Sequence, residues 1–353
     1  MQVNEAIAGF RTPARNVLPL LQGQTFLVGT WPHPAPDSDR DSVQQRDCRR
    51  KSIGNDGGGL YTDVMPLLRL LIALTACFVS VAARAECRPA GLQAIIDQSQ
   101  LHVPAAASAN TLPLVVLLHG STGTGAEMLR DSHLSQTADH HGFIVVAPDG
   151  GIVAGRGFVW NIPGVQTVTG ALPPKDARDD VAYLVGLIDR LVATGCVDTK
   201  RVYATGLSGG GRMVSWLGCV VPRRFAAIAP VVGLRAGRPF AADPMRTDPA
   251  SCRPEVPIPV LAFAGDADTT NPIAGGGAPY WQFSQATALQ RWAALDGCLA
   301  PYARSLNASV YEQGYAGCAD GASVAVRVTR GGPHSWSVVD NAALWAFLSR
   351  YRR

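Results

Sequence analysis

The sequence predicts an α/β fold in which helices cover both faces of a mostly parallel sheet. Three observations predict this fold. The run from Leu112 to Leu118 is continuously apolar, which is typical of a strand buried on both faces. Runs of this kind alternate with amphipathic stretches of helical period, such as residues 179–192. The alternation continues from about residue 112 to residue 351 without an internal repeat, which indicates a single domain.

The elements of the first half follow one another in a regular order. After the first strand, residues 126–141 have helical character. Gly142 is a suitable stop for this helix, because glycine readily adopts the left-handed conformation that ends many helices. Residues 143–147 are apolar and precede a Pro-Asp-Gly turn sequence, which predicts a second strand. The helix at 179–192 then carries valine, leucine and isoleucine on one face.

The second half continues the same alternation. Apolar and β-branched runs predict four further strands, at 201–205, 225–232, 259–264 and 324–329. The stretches beside them predict three further helices, at 209–220, 281–295 and 340–351. The segment from Gly233 to Ile258 contains five prolines and has no clear apolar period, so we do not expect a large helical lid there.

Composition excludes two classes of protein. The chain has 353 residues, of which 47% are hydrophobic and 16% are charged, so it is not a wholly disordered chain. The net charge of +4 is mild for this length. Lysine and arginine do not cluster on a regular face, so we expect no nucleic-acid partner.

Residues 65–85 are typical of a secretory signal peptide. Arg69 gives a positive start, an apolar run follows, and small residues precede a cleavage point expected after Ala85. A transmembrane anchor is the alternative, but the apolar run of about 12 residues is shorter than the roughly 20 that a span needs. Lipidation at Cys77 is a second alternative. We therefore expect a secreted or periplasmic protein without a stable membrane span.

The signal divides the chain into three parts. Residues 1–64 are rich in Gly, Asp, Arg and Pro and have no sustained apolar period. They are interpreted as a disordered leader or as a start assigned too far upstream. Residues 86–353 are then expected to form the single working domain.

Export also gives the cysteines a role. Six of the eight cysteines follow residue 85: Cys87, Cys196, Cys219, Cys252, Cys298 and Cys318. An exported protein can form disulfides, and six cysteines allow 15 pairings. Cys298–Cys318 is the favoured pair because it closes a short loop containing Gly, Tyr and Asn; the other pairings stay open. The spacings suit neither a zinc site nor a redox motif.

The sharpest chemical signal is Gly206-Leu207-Ser208-Gly209-Gly210. This motif follows a predicted strand and opens a predicted helix, which is the context of a nucleophile elbow. A serine on such a tight turn needs small neighbours, and Gly206 and Gly210 meet that need. The turn directs the hydroxyl of Ser208 away from the sheet, so we expect Ser208 to be the nucleophile.

A serine hydroxyl needs a base, and the order expected along the chain is Ser, then Asp or Glu, then His. His334 is the only histidine after Ser208, and it follows the strand at 324–329. Asp268 lies on the loop after the strand at 259–264, where it could orient the imidazole. Asp266 is the competing carboxylate, and our preferred role for it is to accept hydrogen bonds from loop amides.

The loop after the first strand is expected to supply part of an oxyanion hole. Its sequence begins His119-Gly120-Ser121, and we expect the backbone N–H groups of Ser121 and Gly209 to be the two donors. His119 is interpreted as a structural hydrogen-bonding residue. Asp179 and Asp180 are interpreted as helix caps rather than catalytic groups.

The motifs LVVLLHGSTG, FIVVAPDG, RVYATGLSGGG, GDADTT and GGPHSW resemble, in this order, the poly(3-hydroxybutyrate) depolymerase-like and feruloyl esterase family of secreted α/β-hydrolases. The resemblance covers about residues 112–351. It implies an α/β-hydrolase fold and hydrolysis of carboxylic esters, with no metal and no cofactor. It also implies that Ser208, Asp268 and His334 form the catalytic triad.

Two positions depart from the pattern of the family. Ser121 stands where the family usually has cysteine, a change that a backbone donor tolerates. Pro333 replaces a glycine in the turn before His334, which affects the geometry of the loop rather than the role of the histidine.

Without a large lid the site is expected to be open, which suits small-molecule or oligomeric esters. Trp160 and Trp336 are the expected substrate-binding residues, because flat rings pack well on aromatic or apolar acyl groups. Trp281 is a weaker candidate for the same role, and core packing is the alternative for all three.

The leading interpretation is a secreted serine esterase that acts on hydroxybutyrate oligomers or polyester, or on feruloyl-type esters. A serine peptidase or acyltransferase on the same fold is the first alternative, because all of these enzymes proceed through an acyl-enzyme. A catalytically inactive binding protein is the second alternative. We expect the protein to be a monomer.

Overall fold

The computed structural model of the protein describes Cys87 and residues 89–108 and 111–353. The predicted leader at 1–64 and the predicted signal peptide at 65–85 lie outside the described residues. The boundary of the working domain at residue 86 therefore stays a prediction.

Nine strands form one mixed sheet, and two pairs of strands form small ribbons beside it. The strands of the described residues are β1 (Leu101–His102), β2 (Leu112–Leu118), β3 (Ile144–Val146), β4 (Ile152–Ala154), β5 (Gly157–Val159), β6 (Val197–Leu207), β7 (Ala227–Val231), β8 (Pro239–Phe240), β9 (Asp243–Thr247), β10 (Val260–Gly265), β11 (Ala300–Ser305), β12 (Val310–Ala316) and β13 (Val324–Thr329). The order across the large sheet is β1-β3-β2-β6-β7-β10-β13-β12-β11.

The six central strands of this sheet, from β3 to β13 in the sheet order, are all parallel to one another. Antiparallel pairing occurs only towards the two edges, where β1 joins β3 and the β11–β12 hairpin joins β13. All seven residues of β2 are buried, as expected for a strand covered on both faces. The prediction of a mostly parallel sheet is confirmed.

Helices cover both faces of the sheet. The helices of the described residues are α1 (Pro89–Gln93), α2 (Gly125–Asp131), α3 (Leu134–His141), α4 (Asp180–Ala193), α5 (Gly209–Val220), α6 (Gln285–Leu295) and α7 (Asn341–Leu348). Alternate residues of β2 enter two different clusters: Leu114 and Val116 pack with α4, α5 and α6, whereas Val115 and Leu117 pack with α2, α3 and α7. Among the described residues, no helix combines the length and hydropathy needed to span a bilayer.

This arrangement is the α/β-hydrolase fold that the sequence predicts. The longest central strand, β6, runs directly into α5 at Ser208. The strands β10 and β13, which precede the predicted acid and base, lie on the same side of β6 in the sheet order. The segment from Gly233 to Ile258 holds only the short β8–β9 ribbon, so the expectation of no large lid is also confirmed.

One predicted helix is wrong as a continuous element. Residues 126–141 form two helices, α2 and α3, separated at Ser132 and His133. His133 adopts a left-handed conformation with φ of 53°, which interrupts a right-handed helix. The Ser132 hydroxyl bridges the break, because it donates to the Leu129 carbonyl at 3.3 Å and accepts from the Leu134 amide at 3.3 Å.

Two other elements differ from the prediction. The helix expected from Trp281 begins only at Gln285, where the side chain of Ser284 accepts a hydrogen bond from the Thr287 amide and caps the helix. The segment between Cys298 and Cys318, expected to be a loop, forms the β11–β12 hairpin. Most of β11 is exposed, so its sequence lacks the apolar alternation that identifies a half-buried strand.

The six cysteines of the described residues form three disulfides: Cys87–Cys196, Cys219–Cys252 and Cys298–Cys318. The favoured pair, Cys298–Cys318, is confirmed, and it closes the base of the β11–β12 hairpin. The other two bonds tie the first described residue to the start of β6, and the end of α5 to the segment before β10. Three disulfides are consistent with an oxidising compartment outside the cytosol.

Candidate active site

Ser208 occupies a strained turn between β6 and α5. Its backbone has φ of 53° and ψ of −111°, a conformation that residues with a side chain rarely adopt. The turn is held in place because the Ser208 amide donates to the Val231 carbonyl at 2.8 Å. Strain of this kind persists only where the surroundings impose it, and at a turn between strand and helix it exposes the serine side chain.

Backbone atoms surround the turn so closely that the adjacent glycines cannot be replaced. A Cβ on Gly206 would lie 2.8 Å from the Leu118 carbonyl oxygen. A Cβ on Gly210 would collide with the same oxygen, and one on Gly233 would lie 2.6 Å from the Ser208 carbonyl oxygen. The requirement for small residues that the sequence motif suggested is therefore a property of the fold.

His334 and Asp268 are in direct contact. The Nδ1 atom of His334 lies 2.7 Å from Oδ2 of Asp268, and the carboxylate is only 5% exposed. Its other oxygen accepts hydrogen bonds from the Thr270 amide at 2.9 Å and the Asn271 amide at 2.8 Å. Burial raises the pKa of Asp268, but the hydrogen bonds from His334 and Asn271 outweigh burial, so the pKa lies below its ordinary value.

The competing carboxylate, Asp266, has a different partner. It is exposed, and its Oδ1 accepts a hydrogen bond from the Gly331 amide at 2.6 Å. Asp266 therefore links the loop after β10 to the loop that carries His334. This contact agrees with the role expected for Asp266, which was to accept hydrogen bonds from loop amides. Only Asp268 contacts the imidazole.

The serine and the histidine are not joined by a hydrogen bond in this structure. Their loops nevertheless face one cleft, of about 540 Å³, which is lined by His334, by Leu207 next to the serine, and by Ser121. Contacts of this kind often form fully only when substrate is bound. The proton transfer from Ser208 to His334 therefore remains a prediction.

The predicted oxyanion donors lie against each other. A Cβ built on Gly209 would collide with the Ser121 hydroxyl and lie 3.1 Å from the Ser121 nitrogen. Within the described part of the chain, neither the Ser121 amide nor the Gly209 amide donates to a protein acceptor. Two unpaired N–H groups that close to the nucleophile can bind an oxygen carrying negative charge.

His119 holds this loop in shape. It is 1% exposed, its Nε2 accepts from the Gly150 amide at 2.9 Å, and its Nδ1 lies 2.8 Å from the Gly120 carbonyl. Only a neutral ring with its hydrogen on Nδ1 can make both bonds. Burial lowers the pKa of His119, which favours that neutral form. The structural role expected for His119 agrees with these contacts.

The two predicted substrate-binding tryptophans have different surroundings. Trp336 is half-buried and lines the 540 Å³ cleft beside His334. Trp160 is 4% exposed, and its Nε1 donates to the His119 carbonyl at 2.9 Å. Trp160 also lines a small cavity next to Ser121 and Gly209. Trp281, the weaker candidate, is fully buried and contacts no part of the cleft beside His334.

Asp180 does more than the helix cap that the sequence suggested. Asp179 is the cap, since its side chain accepts from the Ala182 amide at 3.0 Å. Asp180 is fully buried and accepts from the Gly151 amide at 3.1 Å and the Asn161 amide at 2.8 Å, and it also pairs with Arg178. It thereby fixes the two ends of the segment that carries Trp160.

Sequence reasoning also missed Arg212 and Arg235, two buried cations close to the site. Arg212 lies four residues after Ser208 on α5, so helical spacing places it on the same face as the serine. That spacing could have identified it. No local pattern distinguishes Arg235, which lies in the proline-rich segment after β7.

Comparisons with known proteins show what the chain is similar to. Residues 98–249 match the family model described as "Esterase PHB depolymerase". Feruloyl esterase B of Piromyces equi is 28% identical over 68% of this chain and 42% of its own length. Poly(3-hydroxyalkanoate) depolymerase C of Paucimonas lemoignei is 34% identical over 37% of this chain and 30% of its own length. The chain thus spans less than half the length of these two relatives.

A solved structure, the acetyl xylan esterase from Aspergillus awamori, covers 70% of this chain and 92% of its own, with a TM-score of 0.49 and 18% identity. The assignment of the fold rests on the strand order and the turn at Ser208 rather than on this likeness. The sequence match over residues 98–249 confirms the resemblance found in the motifs, and it covers less than half of the chain. Over these residues, the chain is similar to the family of esterases that this model describes.

Proposed function

We propose that this protein is an exported serine esterase that hydrolyses carboxylic esters with Ser208 as nucleophile, His334 as base and Asp268 as orienting acid. The observation that carries the proposal is the contact of 2.7 Å between His334 Nδ1 and Asp268 Oδ2. A buried carboxylate bonded to Nδ1 leaves Nε2 as the acceptor for a serine proton. The strained turn at Ser208 and the unpaired amides beside it support the same assignment.

The proposed reaction begins when the Ser208 oxygen attacks the ester carbonyl carbon while its proton passes to His334 Nε2. The carbonyl oxygen becomes an oxyanion, which accepts hydrogen bonds from the Ser121 and Gly209 amides. Collapse of this intermediate breaks the bond to the alcohol, which leaves with the proton from His334. Water then attacks the acyl-enzyme and gives a proton to His334. The bond between the acyl group and Ser208 breaks, His334 returns the proton to the Ser208 oxygen, and the acid is released.

Each oxyanion donor matters because it acts where charge develops. Loss of one donor in a comparable site costs about 3–4 kcal/mol in the transition state. Backbone donors need no side chain of a particular type, so the serine at position 121 is compatible with the proposal.

Hydroxyalkanoate oligomers and feruloyl-type esters are the proposed substrates. The names of the two relatives point to these acids, and the open cleft beside Trp336 has room for either. A flat indole at the edge of the cleft can pack against an aromatic or a short apolar acyl group.

Export through the signal peptide at 65–85 completes the proposal. Three disulfides in the described residues support it, because such bonds persist mainly outside the cytosol. Mass spectrometry of the exported protein tests the cleavage site, and light scattering tests the proposed monomer.

A panel of substrates tests the reaction. We expect hydrolysis of 4-nitrophenyl butyrate, and of methyl ferulate or hydroxybutyrate oligomers, with no cleavage of peptides. Ser208→Ala should lower kcat by at least 10³-fold, whereas Ser349→Ala, a change at an exposed serine that ends α7, serves as the matched control. Full activity of Ser208→Ala would overturn the assignment, and cleavage of peptides would favour a peptidase.

A further inference from the structure

Arg212 and Arg235 are buried cations without a buried anion. Each is 5% exposed. Within the described part of the chain, neither forms an ion pair with a carboxylate, whereas the buried Glu312 contacts both Arg304 and Arg327. An uncompensated charge in a protein interior is costly, so an arginine pair of this kind needs a reason.

Arg212 is held by aromatic and hydroxyl groups. Its guanidinium lies 4.1 Å from the centre of the Tyr280 ring, and its Nη2 donates to the Ser121 hydroxyl at 3.3 Å. Its Nε is buried and has no hydrogen-bond partner. The cation is therefore oriented beside the predicted oxyanion loop with one donor unused.

Arg235 is held more rigidly. Its guanidinium stacks on Trp281 at 3.4 Å and on Phe283 at 4.2 Å from the ring centres. Its Nε donates to the Leu234 carbonyl at 2.7 Å and its Nη1 to the Phe283 carbonyl at 2.6 Å. Its Nη2 is buried and has no partner. Carbonyls and rings account for the position of the side chain, but they do not neutralise its charge.

The two cations lie near enough to repel each other. Burial lowers the pKa of Arg235, and the charge of Arg212 lowers it further. Burial also lowers the pKa of Arg212 to about 10. Two like charges that share a region of low dielectric would both be stabilised by one anion placed between them.

A small cavity lies against the pair. Both arginines line it, and most of its remaining wall is apolar, including Ile162, Val165 and Trp216. Its volume of about 10 Å³ is close to the space of one water-sized group. A second cavity of similar size shares Arg212, Ile162 and Val165 with the first and reaches Ser121 and Gly209.

We infer that Arg212 and Arg235 form a carboxylate subsite, which selects esters whose chain ends in a free carboxylate a short apolar distance from the scissile bond. One carboxylate oxygen would occupy the space of the water-sized group, where the two unused guanidinium donors would bind it, and the apolar wall would contact the carbon next to it. Guanidinium groups bind carboxylates well because their N–H groups match the carboxylate geometry. This inference rests on the proposed function, since it names a substrate class for the same site.

Hydroxyacid oligomers with a free end have this chemistry. The test therefore compares the linear dimer of 3-hydroxybutyrate as the free acid with the same dimer carrying a terminal carboxamide, which has a similar shape but no charge. We expect kcat/KM to be at least tenfold higher for the acid. In Arg235→Gln this preference should fall below about threefold. In Arg223→Gln, a change at an exposed arginine paired with Glu255, the preference should persist.

A binding measurement separates this inference from the proposed reaction. The Tm of the wild-type protein is measured with 3-hydroxybutyrate and with 3-hydroxybutyramide at equal ionic strength. We expect only the anion to raise the Tm, and the rise to disappear in Arg235→Gln. If the anion alone raises the Tm but neither dimer is hydrolysed, the carboxylate subsite is supported and the proposed substrate is contradicted.

Other results of the same two measurements would overturn the carboxylate subsite. Equal hydrolysis of the two dimers together with equal Tm values would overturn the subsite while leaving the esterase proposal intact. If Arg235→Gln does not fold, the comparisons of acid with amide in the wild-type protein still test the subsite, because they need no variant.

Discussion

His334 Nδ1 and Asp268 Oδ2 are 2.7 Å apart, although 66 residues separate them in the sequence. The two residues meet because β10 and β13 are parallel neighbours, so the loops that follow these strands emerge at the same edge of the sheet. The second oxygen of Asp268 is occupied by two backbone amides, which leaves the first to fix the imidazole. One carboxylate oxygen of Asp268 therefore anchors the loop, and the other orients His334.

Asp268→Asn should lower kcat by about 10⁴-fold, as the comparable change does in a serine protease triad, because an amide no longer fixes the required tautomer of His334. The measurement is the steady-state rate on 4-nitrophenyl butyrate. Asp266→Asn is the matched control, since the side chain of Asp266 bonds to the Gly331 amide and not to His334. We expect this variant to lose less than tenfold. An equal loss of kcat in both variants would indicate that the two carboxylates maintain the shape of the loops around His334. It would contradict a specific role of Asp268 in fixing the His334 tautomer.

Gly209→Ala should lower kcat by about 10²-fold, because its methyl group would push Ser121 away from the oxyanion position. The atom nearest to that methyl group is the Ser121 hydroxyl. Adding Ser121→Ala should therefore restore part of the rate. A double-mutant cycle measures the coupling. Strict additivity of the two changes would contradict a shared oxyanion site.

Asp296→Asn should remove part of the pH dependence of stability. Burial raises the pKa of Asp296 to about 7, and its buried Oδ2 has no hydrogen-bond partner. The folded protein therefore holds a proton that the unfolded chain has lost, and stability falls as pH rises from about 4 to about 7. The variant should gain stability relative to the wild type over this range, by up to roughly 4 kcal/mol.

Urea unfolding at pH 5 and pH 8 measures this difference. Asp176→Asn, a change at an exposed carboxylate, provides the control and should leave the pH dependence as in the wild type. Parallel pH profiles for the wild type and Asp296→Asn would show that the carboxyl of Asp296 is ionised throughout.

Removing the Cys298–Cys318 bond should lower the free energy of unfolding by roughly 3 kcal/mol, the value expected for a loop of this size. The bond closes a separation of 20 residues at the edge of the sheet, away from the site. In the double variant Cys298→Ser/Cys318→Ser we therefore expect kcat to be retained while urea unfolds the protein more easily. A fall in kcat without a loss of stability would contradict this account.

A chain that begins at Glu86 should fold and keep full activity, because the described fold begins at Cys87 and retains all three disulfides. The matched variant adds Cys87→Ser to this chain. It should contain one free thiol, at Cys196, and it should be less stable, since the lost bond spans 109 residues. Thiol titration and urea unfolding measure the two effects. Loss of activity in the unaltered shorter chain would assign a role to residues 1–85.

The sequence predicted those parts of the molecule that depend on local rules. The turn at Ser208 needs glycines on both sides, and the helix 209–220 begins and ends where the pattern predicted. His334 and Asp268 could be paired because a parallel sheet brings the ends of its strands together. The glycine-rich motif and the topology together were enough to propose the triad.

Other features depend on contacts that are distant in sequence. The carbonyl of Phe283, 48 residues away, holds Arg235 in place, and no pattern around Arg235 announces this contact. The β11–β12 hairpin is largely exposed on its outer strand, so it lacks an apolar period. The left-handed residue His133 interrupts a stretch whose composition is otherwise helical.

The glycine packing around Ser208 has a consequence for how the proposed esterase can evolve. Carbonyl oxygens occupy the space where side chains at positions 206, 210 and 233 would lie. Selection for a new substrate can act on Trp336, which lines the cleft, but it has almost no freedom at the turn itself. Related enzymes with different preferences should therefore inherit the turn unchanged and diverge in the loops that face it.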